Sequence, residues 1–273
     1  MKVLFDSHTH INSEGFDEDR EDLIRAIEAS DVAYAVDIGV DIPTSEMAVS
    51  HAAKYGWCYA AVGIHPHEAK LADEQSFAAL RELTRKPKVL AVGEIGLDYY
   101  YNYSDPAVQQ HWFRRQIRLA LDLDLPIVIH DRDANDDVMR ILKEEGVFAK
   151  SRTGRFPVHP DGGPDARLLM HCYSGSRELA EQYVKLGATI SFSGTLTYKN
   201  ARRAVETADA LDVRRILVET DAPYLTPEPF RGRRNMPPYV EHTARRLGVI
   251  KGISYDEIAA ITCENARRFF GLK

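Results

Sequence analysis

Residues 89–132 read VLAVGEIGLDYYYNYSDPAVQQHWFRRQIRLALDLDLPIVIHDR. The stretch opens on a short apolar run at 89–94, rich in Val and Leu. Asp105-Pro106 follows, a cap residue and then a first-turn proline. Val108, Trp112, Ile117 and Leu121 recur at helical spacing behind it, which predicts a helix over 106–123. A second apolar run at 127–130 closes the unit. Strand, helix and strand in this order predict a parallel strand pair joined by a crossover helix.

The same rhythm extends in both directions. Apolar runs rich in Val, Ile and Leu stand near 3–6, 33–39, 58–63, 89–94, 127–130, 168–171, 188–192 and 216–219. Several are apolar at consecutive positions, the pattern of strands covered on both faces. Helical patterns lie between and beyond them, at 17–30, 44–55, 74–85, 106–123, 135–145, 176–186, 199–209, 238–248 and 255–269. Eight such units in 273 residues predict an α/β protein with a single (β/α)8 TIM barrel, its active site at the C-terminal face of the strands. An open doubly wound sheet is the alternative that this rhythm also allows. No repeat, low-complexity tract or linker divides the chain, so one domain over 1–273 is expected. Residues 148–166 (FAKSRTGRFPVHPDGGPDA) break the rhythm and read as a loop insertion. The insertion precedes the sixth run, which places it on the face opposite the active site.

Charge and cysteine content narrow the class. The net charge is −6, from 35 Lys+Arg and 41 Asp+Glu. An acidic chain excludes a broad, salt-bridged grip on polyphosphate but leaves room for a small cationic cleft. No aromatic-basic stripe marks a separate nucleic-acid module. Cys58, Cys172 and Cys263 are widely spaced, with no C-x-x-C pair, which argues against a disulfide framework or a thiolate zinc site. The N-terminal apolar run is too short for a signal peptide, and no stretch is long enough to span a membrane. A cytoplasmic protein with no membrane association is expected.

The polar residues fall at the ends of the apolar runs. They are Asp6-Ser7-His8-Thr9-His10, Gly63-Ile64-His65-Pro66-His67, Glu94 with Asp98, His130-Asp131-Arg132, His171-Cys172 and Glu219-Thr220-Asp221. Six of the ten histidines (8, 10, 65, 67, 130 and 171) sit at these ends. A barrel gathers its strand C-termini at one face, so residues remote in sequence can converge there. His8 and His10 are two apart and point to the same side of an extended strand. With Glu94, His130, His171 and Asp221 they make six candidate metal ligands. That is too many for one tetrahedral ion with an open position and suits two ions sharing the Glu94 carboxylate. Asp6 is a candidate for orienting a ligating histidine, and Asp98 for the same role or for ending a turn. Of Glu219 and Asp221, the latter lies further toward the strand end and is the better ligand. Arg132, Arg231, Arg233 and Arg234 are candidate phosphate contacts. His51, His111, His159 and His242 are read as non-ligands.

At these residues the chain resembles the TatD family of metal-dependent deoxyribonucleases, within the amidohydrolase-like barrels. The motifs are DSHTH (6–10), GIHPH (63–67), GEIGLDYY (93–100), PIVIHDRDA (126–134), HCYSG (171–175), FSGTLTYKNA (192–201), ETDAPYL (219–225) and NARRFFG (265–271). They cover essentially the whole chain. The resemblance implies one ion on His8, His10, Glu94 and Asp221, and a second on Glu94, His130 and His171. It also implies His65 as a contact to the substrate phosphate. The chain departs from the family at Met236, where Glu is usual, and in the length of the 148–166 loop.

The leading expectation is hydrolysis of phosphodiester bonds in DNA, exonucleolytic, by water activated between two divalent ions. Asp221 and Glu94 are the catalytic carboxylates, with Asp221 helping to deprotonate the water. Zn²⁺, Mn²⁺ and Co²⁺ suit the histidines, and Mg²⁺ suits the carboxylates. The expected substrate is single-stranded DNA or a strand end, with no obligate protein partner. The competing expectation is an amidohydrolase acting on a small cyclic amide, ester or lactone. Many such barrels bridge their metals with a modified lysine, where this chain has Glu94.

Overall fold

The computed structural model describes residues 3–272. Eight parallel strands lie in one sheet in chain order. They are β1 (Leu4–Thr9), β2 (Val32–Ile38), β3 (Cys58–Val62), β4 (Val89–Asp98), β5 (Ile127–Arg132), β6 (Leu168–Met170), β7 (Thr189–Phe192) and β8 (Ile216–Val218). The helices are α1 (Arg20–Ala29), α2 (Ile42–Lys54), α3 (Glu74–Leu83), α4 (Pro106–Asp122), α5 (Asn135–Glu144), α6 (Lys150–Thr153), α7 (Arg177–Lys185), α8 (Arg202–Ala210), α9 (Val240–Lys251) and α10 (Tyr255–Phe270). Strand order and alternation are those of a (β/α)8 TIM barrel, and the open doubly wound sheet is set aside. The chain forms two compact units, one of residues 1–37, 172–184 and 189–273, the other of 38–171 and 185–188.

In the first unit β1 pairs with β2, from Leu4↔Val32 to Thr9↔Asp37, and β7 pairs with β8 from Ile190↔Ile216 to Phe192↔Val218. Phe5 packs its ring between Tyr34, at 5.5 Å, and the stacked ring of Phe270, at 5.7 Å. That contact seats α10. The helix begins at a Ser254/Glu257 capping box and ends at Gly271 in the left-handed conformation. Its buried face carries Ile258, Ala259, Ala266, Phe269 and Phe270.

In the second unit β4 joins β3 to β5, with Val62↔Val92 on one side and Asp98↔Arg132 on the other. The sequence pattern ends the fourth strand at Glu94, whereas β4 runs on to Asp98. Gly96 is the reason. It pairs with His130, and a Cβ built there would stand 1.9 Å from the His130 carbonyl oxygen, so only glycine lets the strand continue. Helix α4 buries Trp112 and Leu119 among Phe77, Leu80, Leu83 and Val89. Two buried glutamines on this helix grip the strand ends. Gln116 accepts from Ile64 N at 2.7 Å and donates to Ile64 O at 3.0 Å. Gln109 accepts from Asp98 N and donates to Asp98 O and Ser104 O.

The 148–166 segment is not wholly a loop, because α6 forms within it. Arg152 of α6 is buried and donates to Leu125 O at 2.7 Å, just before β5. The segment therefore packs at the N-terminal end of that strand.

Candidate metal sites

In the first unit the end of β1 and the segment after β8 lie side by side. Asp221 N donates to His8 O at 2.9 Å, and His10 N donates to Ala222 O at 2.8 Å. Asp6 locks the same junction. It is fully buried and accepts from Thr220 N at 2.9 Å and Thr220 Oγ1 at 2.5 Å. Burial pushes its carboxyl well above the usual carboxylate range, against the Thr220 hydrogen bonds that pull it down. Asp6 reaches the His8 backbone N at 3.4 Å, so it sets strand position. Asn235, also buried, ties the far side by donating to Thr220 O and Tyr224 O.

This junction brings three donors together. His8 Nε2 and His10 Nε2 are 3.3 Å apart. Asp221 Oδ1 is 3.3 Å from the His10 nitrogen and 3.7 Å from that of His8. Two ligands of one tetrahedral ion, each at about 2.1 Å from it, sit roughly 3.4 Å apart. The triangle has the size that a single divalent ion requires. Glu219 does not join it. It is fully buried and accepts from Cys172 N at 2.7 Å and Ser191 Oγ at 2.6 Å.

In the second unit the donors gather around one carboxylate oxygen. Glu94 Oε1 lies 2.6 Å from His130 Nδ1, 2.7 Å from His171 Nε2 and 3.6 Å from His65 Nε2. Burial would raise the Glu94 pKa, but the surrounding imidazoles outweigh it and hold the carboxyl well below its usual range. His130 turns its other nitrogen, Nε2, to Asp98 Oδ2 at 3.1 Å. Asp98 also meets His67 Nε2 at 2.8 Å and accepts from Tyr100 N and Tyr101 N. It therefore both orients the histidine and turns the chain. Burial opposes ionisation of Asp98, yet the His130 and His67 hydrogen bonds and the Tyr101 amide keep it well below the usual range. With the proton on Nε2, the His130 Nδ1 lone pair faces the Glu94 oxygen. Two such acceptors repel unless a proton or a cation lies between them. The donor chemistry of this set also fits a divalent ion.

His65 is placed by a 3-10 helix, Pro66–Leu71, for which it is the N-cap. Its Nδ1 accepts from His67 N at 3.1 Å, which leaves Nε2 to carry the proton of the neutral ring. The arginines are divided. Arg234 forms an ion pair with Asp19 and donates to Gly15 O, so it is spent on structure. Arg231 lies over Tyr198, at 4.3 Å from the ring centre, and Arg132 lies over Tyr100 and Tyr101. The loop after β4 holds side chains that the sequence motifs do not single out as functional. Tyr100, Tyr101 and Tyr103 expose their rings there, and the run YYYNY at 99–103 is the signal that could have found them.

Residues 5–271 match the family model of TatD related DNases. The chain belongs to that family. It is 42% identical over 268 residues to the uncharacterized metal-dependent hydrolase YabD of Bacillus subtilis, covering 98% of this chain and 99% of the relative. It is 33% identical to a Cronobacter sakazakii protein named 3'-5' ssDNA/RNA exonuclease TatD, covering 98% and 97%. The crystal structure of the Escherichia coli TatD homologue YjjV matches with a TM-score of 0.87 and 28% identity, over 100% of this chain and 99% of that one. The chain is thus a metal-dependent hydrolase, and its His, Glu and Asp side chains include groups that could hold metal. Among the described residues no helix is long and apolar enough to cross a membrane.

Proposed function

We propose that this hydrolase cleaves phosphodiester bonds in DNA, working inward from a single-stranded end with two divalent ions. One ion is assigned to His8, His10 and Asp221, and the other to Glu94, His130 and His171. The observation that carries the reading is the pair of donor sets, the first spaced for a single ion and the second built of a carboxylate among imidazoles, in a chain one-third identical to a named ssDNA/RNA exonuclease. The family match runs through both compact units, which supports one hydrolase domain over 1–273.

Divalent ions at such sites polarise a phosphoryl oxygen and lower the pKa of water. The side chains would do the rest. Asp221 offers a carboxylate oxygen to take the proton of the attacking water. The His65 Nε2–H is a donor for a non-bridging phosphate oxygen. The imidazoles around Glu94 outweigh its burial and hold its carboxyl well below the usual range, which favours the charged form. The histidines favour Zn²⁺, Mn²⁺ or Co²⁺, while the carboxylates also accept Mg²⁺.

A time course on end-labelled DNA and RNA, with each metal in turn, tests the reading. Stepwise shortening of single-stranded DNA is expected. Glu94→Ala should lower the rate by at least about 100-fold, the scale for loss of a transition-state contact. Intact DNA alongside turnover of a cyclic amide or lactone would replace this reading with an amidohydrolase.

A further inference from the structure

Three tyrosines in one short loop keep their rings in solvent. Tyr100, Tyr101 and Tyr103 are 59%, 45% and 56% exposed. Their neighbour Tyr99 is tied down, donating to Asp137 at 2.7 Å and accepting from Gln110 at 2.7 Å. The exposed rings are ordered among themselves. Tyr101 and Tyr103 stack at 5.3 Å, and Tyr100 meets Tyr101 edge-on at 4.9 Å. The Arg132 guanidinium lies 4.3 Å from the Tyr100 ring centre and 4.6 Å from that of Tyr101. Arg132 pairs with Asp98 across β4 and β5, so the cation sits at the strand end that bears His130.

The cluster is coupled to the donor set around Glu94. Asp98 accepts from the Tyr100 and Tyr101 amides and also meets His67 and His130. A file of ring contacts runs from Tyr103 to His67 at 4.8 Å, to His65 at 4.3 Å and to His130 at 4.5 Å. Exposed aromatic faces beside a cation, leading toward a phosphate site, are what a single nucleic-acid strand requires. Bases stack on the rings without regard to sequence, and the backbone follows positive charge.

We propose that Tyr100, Tyr101 and Tyr103, with Arg132, form a stacking platform for the bases that flank the scissile phosphate. The inference rests on the nuclease reading and adds to it the substrate's binding mode. It makes an unpaired base the feature recognised, so a paired duplex end must fray before it engages.

Equilibrium binding in EDTA tests the platform apart from cleavage. The probes are a fluorescein-labelled oligothymidylate and an abasic strand of equal length. The wild-type protein should prefer the base-bearing strand by roughly 10- to 100-fold, the scale of one or two stacked bases. Tyr101→Leu with Tyr103→Leu should bring that ratio near one without changing the melting temperature, and the Tyr→Phe pair should keep it. Equal wild-type affinity for both probes would overturn the proposal. So would an unchanged ratio in the leucine variant, or a wild-type dimer that the variant dissociates, which would assign the rings to a self-interface. Mn²⁺-dependent cleavage then separates the two ideas. Cleavage with no base preference sinks the platform alone. Base-dependent binding with no cleavage under any metal sinks the nuclease reading and leaves the platform.

Discussion

Asp98 is the residue on which most of the second donor set depends. One of its oxygens meets both His130 Nε2 and His67 Nε2, and the other accepts two backbone amides. Asp98→Asn keeps the shape and removes the charge that fixes the His130 tautomer. Outer partners of this kind are worth 10- to 100-fold in metal affinity, so a loss of about that size is expected by metal titration. An unchanged affinity would show that His130 needs no such partner. The motif GEIGLD makes Glu94 legible as a candidate ligand, but it leaves Asp98 open between orienting a ligand and ending a turn. The structure gives Asp98 contacts suited to both, because its two oxygens face in different directions. Gln109 and Gln116 are invisible as site residues in the sequence. There they are ordinary polar positions on a helix, and only the packing of α4 makes them buried partners of strand-end amides.

Elements are held in place by a few polar contacts that no substitution can replace cheaply. Gln116→Leu would leave the Ile64 amide and carbonyl without their buried partner, at a cost of about 1–3 kcal/mol in chemical denaturation. Because Ile64 precedes His65, the same change should weaken catalysis beyond its effect on stability. Gly96→Ala should do more. The added methyl meets the His130 carbonyl, so β4 and β5 must part at the level of the donor set. A drop of several degrees in melting temperature, with weakened metal binding, is expected. On the outside, Arg114 and Arg118 of α4 clamp Glu145 at the end of α5, at 2.8 and 2.6 Å. Burial pulls the Glu145 pKa up, but the two guanidiniums prevail and hold it below the usual value. Its stabilising contribution is therefore complete above the unfolded-state pKa of about 4.3 and fades as pH falls through the lower folded-state value. Glu145→Gln should cost about 1–2 kcal/mol at pH 7, with the gap to wild type narrowing as pH falls below about 4.3. A gap that does not change with pH would remove the ionic account of this clamp.

At the scale of the whole chain, metal binding should appear as stability. A ligand that binds only the folded state at 100 times its dissociation constant adds about 2.7 kcal/mol. For a chain of this length that is a rise in melting temperature of roughly 4–10 °C, reversible by chelator, and the rise should vanish when His8 and His130 are both replaced by Ala. The periodicity of apolar runs and the histidines at their ends were enough to specify a (β/α)8 protein and its candidate ligands. Both are local signals, since burial on two faces and spacing along one strand are written in consecutive residues. The reach of β4 to Asp98, the helix inside 148–166, the diversion of Arg234 to Asp19 and the grouping of three tyrosines with Arg132 were decided by tertiary structure. Each depends on which distant backbone or side chain stands opposite. A string of residues carries no record of that until the chain has packed.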